Sequence, residues 1–301
     1  MYVPLPQVQH CLTSRPDMKP SAAKKQMNQA MALGSRLINR RNIPGMSIGG
    51  FDGWFSATEG VTKNPLNIPN TVSGWANLVP GGANFAQSTS NLQPALSTIN
   101  GLTALAPDGA SGRGAATDLL TDGDLMDNIG TGDFYIGIVY ELETGGQFGS
   151  RTSICQKAIG SGSNPWDIQI NTFMDFRIGS SVTYSTSGGT ALELNKTTFL
   201  ELVRTDGTLK TYKNGEEIKS ASFTTDLSCN GDLELGKSDM KIGEFICRKG
   251  TVLDKQRQII EALMARKWDI GSASGTIKTP SRSGLNVLPT GNRFRNSRPS
   301  F

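Results

Sequence analysis

The sequence predicts an all-β protein: an antiparallel jelly-roll sandwich with an N-terminal helical arm, a C-terminal covering helix and an extended C-terminal tail. Three observations carry this. Glycine is abundant, 35 of 301 residues, which suits a chain with many turns. Between residues 51 and 270, short alternating segments are separated by turn signals. On both sides of that region the text becomes basic and proline-bearing.

The elements follow in order. Residues 1–20 hold prolines at 4, 6, 16 and 20 and no usable periodicity, so they read as extended. Ser21 then resembles a helix N-cap, and Met27, Met31 and Ile38 share one face of the helix that follows. Lys24, Lys25, Arg36, Arg40 and Arg41 surround that face, and Pro44 ends it. In the central region, 133–142 reads as a strand with a nearly continuous apolar core, while 167–171 and 174–178 alternate cleanly. Strand 199–204 turns at Asp206-Gly207 into 209–213, and Asn214-Gly215 is a type I′ hairpin signal leading to 216–220. Segments 232–236 and 240–248 supply two more strands. A helix closes the domain, with Asp254 as its N-cap and Ile259, Ile260, Leu263, Met264 and Trp268 as an apolar stripe. The tail from Gly271 to Phe301 is rich in Gly, Ser, Thr, Pro and Arg.

Charge is segregated. Residues 1–50 carry seven Lys/Arg and one Asp, a net of +6, and residues 271–301 carry five Lys/Arg and no acid, a net of +5. The whole chain is +4, so the body between them is −7. Tails of this composition hold no fixed shape alone, so the expectation is that neighbouring subunits clasp them in a symmetric assembly. Lys24, Lys25, Met27, Met31, Arg36, Arg40 and Arg41 are the expected contacts at one end, and Arg293, Phe294, Arg295, Arg298 and Phe301 at the other. Nucleic acid is ranked below protein as the partner of these arms.

Other classes recede. No apolar run approaches the roughly 20 residues of a membrane span. The opening Met1-Tyr-Val-Pro-Leu-Pro6 lacks the pattern of a signal peptide, so synthesis in a host cytoplasm is expected. Cysteines at 11, 155, 229 and 247 are too widely spaced for a zinc site and read as reduced, buried thiols. The single histidine, His10, lies in the N-terminal arm, which argues against histidine-dependent catalysis in the main domain.

Several segments together resemble the concanavalin A-like lectin/glucanase superfamily in its LamG-like jelly-roll form. They are Trp54 in the opening strand, Val72-Ser-Gly-Trp-Ala-Asn77, Leu92-Gln-Pro-Ala95 and Asn100-Gly-Leu102. Further along come Tyr212-Lys-Asn-Gly-Glu216, Ile242-Gly-Glu-Phe-Ile246, and the run from Leu253 to a closing Lys267-Trp268. The resemblance covers residues 51–270 and leaves both arms unmatched. It implies a sandwich with Trp54 and Trp75 in its core. Domains of this superfamily serve as carbohydrate-binding modules, adhesins, glycosidases and parts of phage virions.

Candidate chemistry is sparse. The glucanase branch carries Glu-x-Asp-x-Glu along one strand, and no such run occurs here. Glu141-Leu-Glu143 and Asp232-Leu-Glu234 are the nearest, and both read as solvated strand faces. Asp118, Asp122, Asp124 and Asp127 cluster in a turn-rich stretch where calcium is the cation to consider, without the spacing of an EF-hand. Trp166, beside a Gly-Ser-Asn-Pro turn, is the aromatic residue to test for stacking on a sugar. The expectation is therefore a non-enzymatic structural protein of a phage-like virion, a homo-oligomer without a required cofactor. Its partners would be other virion subunits. The alternative is a receptor-binding fibre or adhesin recognising a host surface glycan, and a glycan hydrolase ranks third.

Overall fold

The computed structural model describes residues 42–43, 46–47, 50–64, 70–107, 119–121, 125–143, 152–157, 165–170, 173–178, 181–187, 193–236 and 240–271. The expected N-terminal helix and the tail beyond residue 271 lie outside them, as do Asp118, Asp122 and Asp124.

A short hairpin, β1 (Asn42–Ile43) and β2 (Met46–Ser47), comes first. There follow β3 (Gly53–Ser56), β4 (Val61–Lys63), β5 (Val72–Trp75), β6 (Phe85–Ala86), β7 (Ala95–Ile99), β8 (Leu102–Ala106), β9 (Leu119–Thr121) and β10 (Phe134–Leu142). Next are β11 (Thr152–Lys157), β12 (Trp166–Ile170), β13 (Met174–Ile178), β14 (Ser181–Ser185) and β15 (Thr197–Thr205). The last strands are β16 (Thr208–Lys213), β17 (Glu216–Ser222), β18 (Leu233–Leu235) and β19 (Met240–Lys249), and helix α1 (Asp254–Trp268) ends the series. The predicted central strands all appear, within two residues at each end.

Beyond the short hairpin, the strands form two antiparallel sheets. One has eight strands, ordered β17-β16-β15-β10-β19-β8-β7, with β3 also paired to β19. The other has nine, ordered β14-β13-β12-β11-β18-β9-β6-β5-β4. Their facing surfaces form one apolar core. Phe134, Ile136, Ile138 and Tyr140 from β10 meet Ile168, Ile170, Met174 and Phe176 from the other sheet. The alternate residues of β10, Tyr135 and Val139, point the opposite way into a second core with Trp54, Phe199, Val203 and Ile246. Helix α1 covers that second face with Ile260, Met264 and Trp268. Both sides of β10 are thus buried, which is why its sequence runs apolar without alternation.

The hairpins obey their turn chemistry. Asp206-Gly207 and Asn214-Gly215 have positive φ at both positions (49° and 70°, 52° and 85°), as a type I′ turn requires. Asn214 also accepts from the Phe199 N–H through Oδ1 at 2.8 Å, tying the turn to β15. Asn77, half-buried beside β3, accepts from the N–H groups of Trp54 and Val79 at 3.0 Å each and donates to the Asp52 carbonyl.

Two pieces of the family resemblance prove to be one device. The indole of Trp268 lies so close to β19 that a Cβ at Gly243 would sit 2.7 Å from it, so only glycine fits there. The adjacent Glu244 pairs with Lys267 and accepts from Trp268 Nε1 at 3.3 Å. Gly243-Glu244 and Lys267-Trp268 thereby dock the end of α1 onto the sheet.

Two details depart from expectation. The N-cap of α1 is Leu253 and not Asp254, and the Leu253 N–H donates to Gln256 Oε1 at 3.1 Å. The apolar stripe also includes a buried cation, Arg257.

Candidate functional site

In the nine-stranded sheet the residues between the core-facing ones point outward, and across β18, β11, β12 and β13 they are polar. The register aligns Glu234 with Gln156, Gln156 with Asp167, and Asp167 with Arg177. A second row aligns Ser153 with Gln169, Gln169 with Asp175, and Asp175 with Ser185 on β14. Residues directly opposite across strands lie about 5 Å apart at Cβ, so these eight side chains are contiguous: Glu234, Gln156, Asp167, Gln169 and Ser185 are half-buried, while Ser153, Asp175 and Arg177 are buried among them.

Its carboxylates are held from the side. Ser153 Oγ donates to Asp167 at 2.5 Å and Gln169 Nε2 donates to the same group. Ser185 Oγ donates to Asp175 at 2.5 Å, and Gln156 Nε2 donates to Glu234. These neighbouring donors set the orientation of the carboxylates. Gln169 Oε1 is buried and has no hydrogen-bond partner among the described residues. The surface combines carboxylate, amide, hydroxyl and guanidinium groups, the inventory that recognises a polyhydroxylated ligand.

The clean alternation of 167–171 and 174–178 separates the core-facing Ile168, Ile170, Met174 and Phe176 from Asp167, Gln169, Asp175 and Arg177, of which Asp175 and Arg177 are nonetheless buried. What it could not show was the partner strands. Gln156 and Glu234 join the surface only through pairing between β11 and β18, far apart in the chain.

The residues singled out from the sequence fall elsewhere. Trp166 is corrected: it opens β12, is 1% exposed and stacks on Phe176 with ring centroids 5.7 Å apart, so it belongs to the core and does not face a sugar. Trp54 and Trp75 are core residues as the family resemblance implied. Asp127 is engaged by the buried Lys157, and among the described residues no cluster of His, Cys, Asp or Glu could hold a metal ion. Glu141 and Glu143 converge on Lys241, at 2.8 and 3.2 Å, and their hydrogen bonds raise the Lys241 pKa. The assembly residues Lys24, Lys25, Met27, Met31, Arg36, Arg40, Arg41, Arg293, Phe294, Arg295, Arg298 and Phe301 lie outside the described residues.

Other polar clusters have structural work. Burial pushes the thiols of Cys155 and Cys247 well above their usual range, so neither is an activated nucleophile. Lys267 donates to Ser56 Oγ at 2.7 Å, a pairing that suggests a nucleophile and its base. Ser56 is fully buried, however, and Lys267 is ion-paired with Glu244, so no substrate reaches the hydroxyl. Arg204 donates to the carbonyls of Gly132, Thr225 and Gly130 at 2.6, 2.8 and 2.8 Å, closing one end of the sandwich.

No family model matches the chain, and no curated protein does. Solved structures do. The binding domain of Paraclostridial Mosquitocidal Protein 1 superposes with a TM-score of 0.52 at 9% identity, over 70% of this chain and 52% of that one. The chain thus spans about half the length of that relative. The botulinum neurotoxin type G receptor binding domain superposes with a TM-score of 0.49 at 11% identity, over 71% of this chain and 51% of that one. Domain 4 of AbnA, an extracellular arabinanase from Geobacillus stearothermophilus in complex with arabinotriose, gives 0.48 at 16%, over 71% of this chain and 97% of that domain. At such identities what is shared with the first of these is the β-sandwich fold.

Proposed function

We propose that this chain is a non-enzymatic glycan-binding protein whose site is the outer face of the nine-stranded sheet. The observation that carries the reading is the row of half-buried polar side chains Glu234, Gln156, Asp167 and Gln169, with Asp167 oriented by Ser153 and the buried Asp175 and Arg177 behind them. The two half-buried acidic groups, Asp167 and Glu234, favour neutral or amino sugars over sialylated ones. The sandwich shared with a toxin's binding domain is in keeping with a recognition role.

A glycan array with the full chain, followed by titration calorimetry on any hit, tests this. Gln156→Ala and Asp167→Asn should each weaken binding about tenfold, the equivalent of ~1.4 kcal/mol for one hydrogen-bonding partner. Unchanged affinity in both, with thermal midpoints preserved, rejects the site. Release of reducing sugar from the bound glycan would reject the non-enzymatic part.

The charge partition favours a wider setting: basic ends of +6 and +5 on an acidic body suit docking into other subunits of a phage-like virion, with the sandwich displayed. Chains lacking residues 1–40 or 275–301 should then fail to enter particles. Normal incorporation of both would overturn that setting and leave the glycan reading standing.

A further inference from the structure

We infer that a groove along the side of the sandwich is a second binding site, for a short uncharged saccharide. It lies where edge strands of the two sheets run together, β4 of the nine-stranded sheet and β7 of the eight-stranded one, and it is an open groove of about 500 Å3. Small-molecule sites commonly measure ~300–1,000 Å3.

The lining matches a sugar ring on both of its faces. Val61 and Leu96 are half-buried hydrophobics packed against the main core, and they offer an apolar strip for the C–H face of a pyranose. Around them stand the hydroxyls of Thr58, Ser97, Thr98 and Thr103 and the amide of Asn70, which can each donate and accept. Glu59 and Lys63 also line the groove, and their charges cancel. A charged ligand would therefore gain nothing from the field of the groove, whereas a neutral polyol finds partners for its hydroxyls.

The groove is also pre-formed. Asn70 holds a left-handed backbone (φ 68°), and its carbonyl accepts from the Leu96 N–H at 2.6 Å, so one wall is bonded to the other. Asn64 N–H donates to the Thr71 carbonyl at 3.0 Å, and Thr71 bridges to Ala95 at the start of β7. Gly60 takes φ 72°, and its carbonyl accepts from the Ala76 N–H at 2.8 Å, which ties the turn between β3 and β4 to the end of β5. From below, Thr58 Oγ1 is 2.8 Å from Ser56 Oγ, which receives Lys267. Little ordering entropy is left to lose on binding.

The site shares its ligand class with the proposed function but none of its residues, so the two fail separately. The full chain, labelled at Val and Leu methyls, would be titrated with cellobiose, lactose and N,N′-diacetylchitobiose up to about 10 mM, tenfold above a millimolar dissociation constant. Sialyllactose and a capped pentapeptide serve as comparators. The expected result is saturable shifts of the Val61 and Leu96 methyls with at least one neutral disaccharide. They should persist in Asp167→Asn and fall at least tenfold in affinity in Thr98→Trp, an exposed position that an indole would use to fill the groove. No methyl response to any neutral disaccharide overturns the inference, as does a stronger response to sialyllactose or peptide. Because the methyl readout in the unmodified chain needs no variant, a poorly folded Thr98→Trp would not shield the proposal.

Discussion

Arg257→Met tests whether a buried ion pair holds the covering helix to its sheet. Arg257 is 8% exposed at its side chain, with Nη1 3.4 Å from Glu201 Oε2, and Glu201 is fully buried. Arg257 also pairs with Glu261, and its guanidinium lies 3.7 Å from the centroid of the Tyr212 ring. Met preserves much of the volume and removes the charge, leaving Glu201 with the Tyr135 hydroxyl as its donor at 2.8 Å. Stranding one member of a buried pair costs about 3–5 kcal/mol. Against a typical domain stability of about 5–15 kcal/mol, that is a large fraction. Urea denaturation followed by tryptophan fluorescence measures it. Burial, and next the charge of Glu261, holds the Glu201 carboxyl well above the usual glutamate range. A carboxyl raised on folding binds its proton more tightly in the folded state. Its favourable contribution is full at acid pH and lost as pH rises through the raised value. The Arg257→Met penalty should therefore be smaller at about pH 5 than at about pH 8, and adding Glu201→Gln should recover most of it. A penalty below ~1 kcal/mol, one that ignores pH, or a double variant no better than the single would refute the reasoning.

Three further perturbations probe the scaffold. Gly243→Ala places a methyl against the Trp268 indole and should lift the end of α1 at a cost of about 1–3 kcal/mol, visible as faster amide exchange across 260–268. Arg204→Met removes three hydrogen bonds from the carbonyls of Gly130, Gly132 and Thr225, and should lower stability by about 3 kcal/mol or more in the same urea assay. Trp166→Ala should cost about 3–5 kcal/mol as a core cavity, seen in thermal denaturation, and should leave glycan affinity unchanged wherever the protein stays folded.

Much of the fold was legible because side-chain alternation and turn chemistry are local. Asp206-Gly207 and Asn214-Gly215 announce their hairpins by the backbone angles that glycine and its neighbour accept. The strands that escaped had local reasons too. In β11 the register shifts between Ser153 and Cys155, so Ile154 and Cys155 both enter the core and the period of two is broken. Strand β14 is an edge, and its pairing with β13 shifts register between Phe176 and Arg177, so Val182 is exposed while Tyr184, two residues on, is buried.

From the chain alone came the sandwich class, the covering helix, the outward half of each alternating strand, and ends of opposite charge to the body. Period two states which face a residue takes, but not which strand lies beside it. That choice depends on closing two sheets over one core, and it brings β10 against β19 and β18 against β9, segments about a hundred residues apart in the chain. Only then do Gln156, Glu234 and Asp167 become neighbours, and only then does Arg257 turn from a surface cation into the partner of a buried carboxylate.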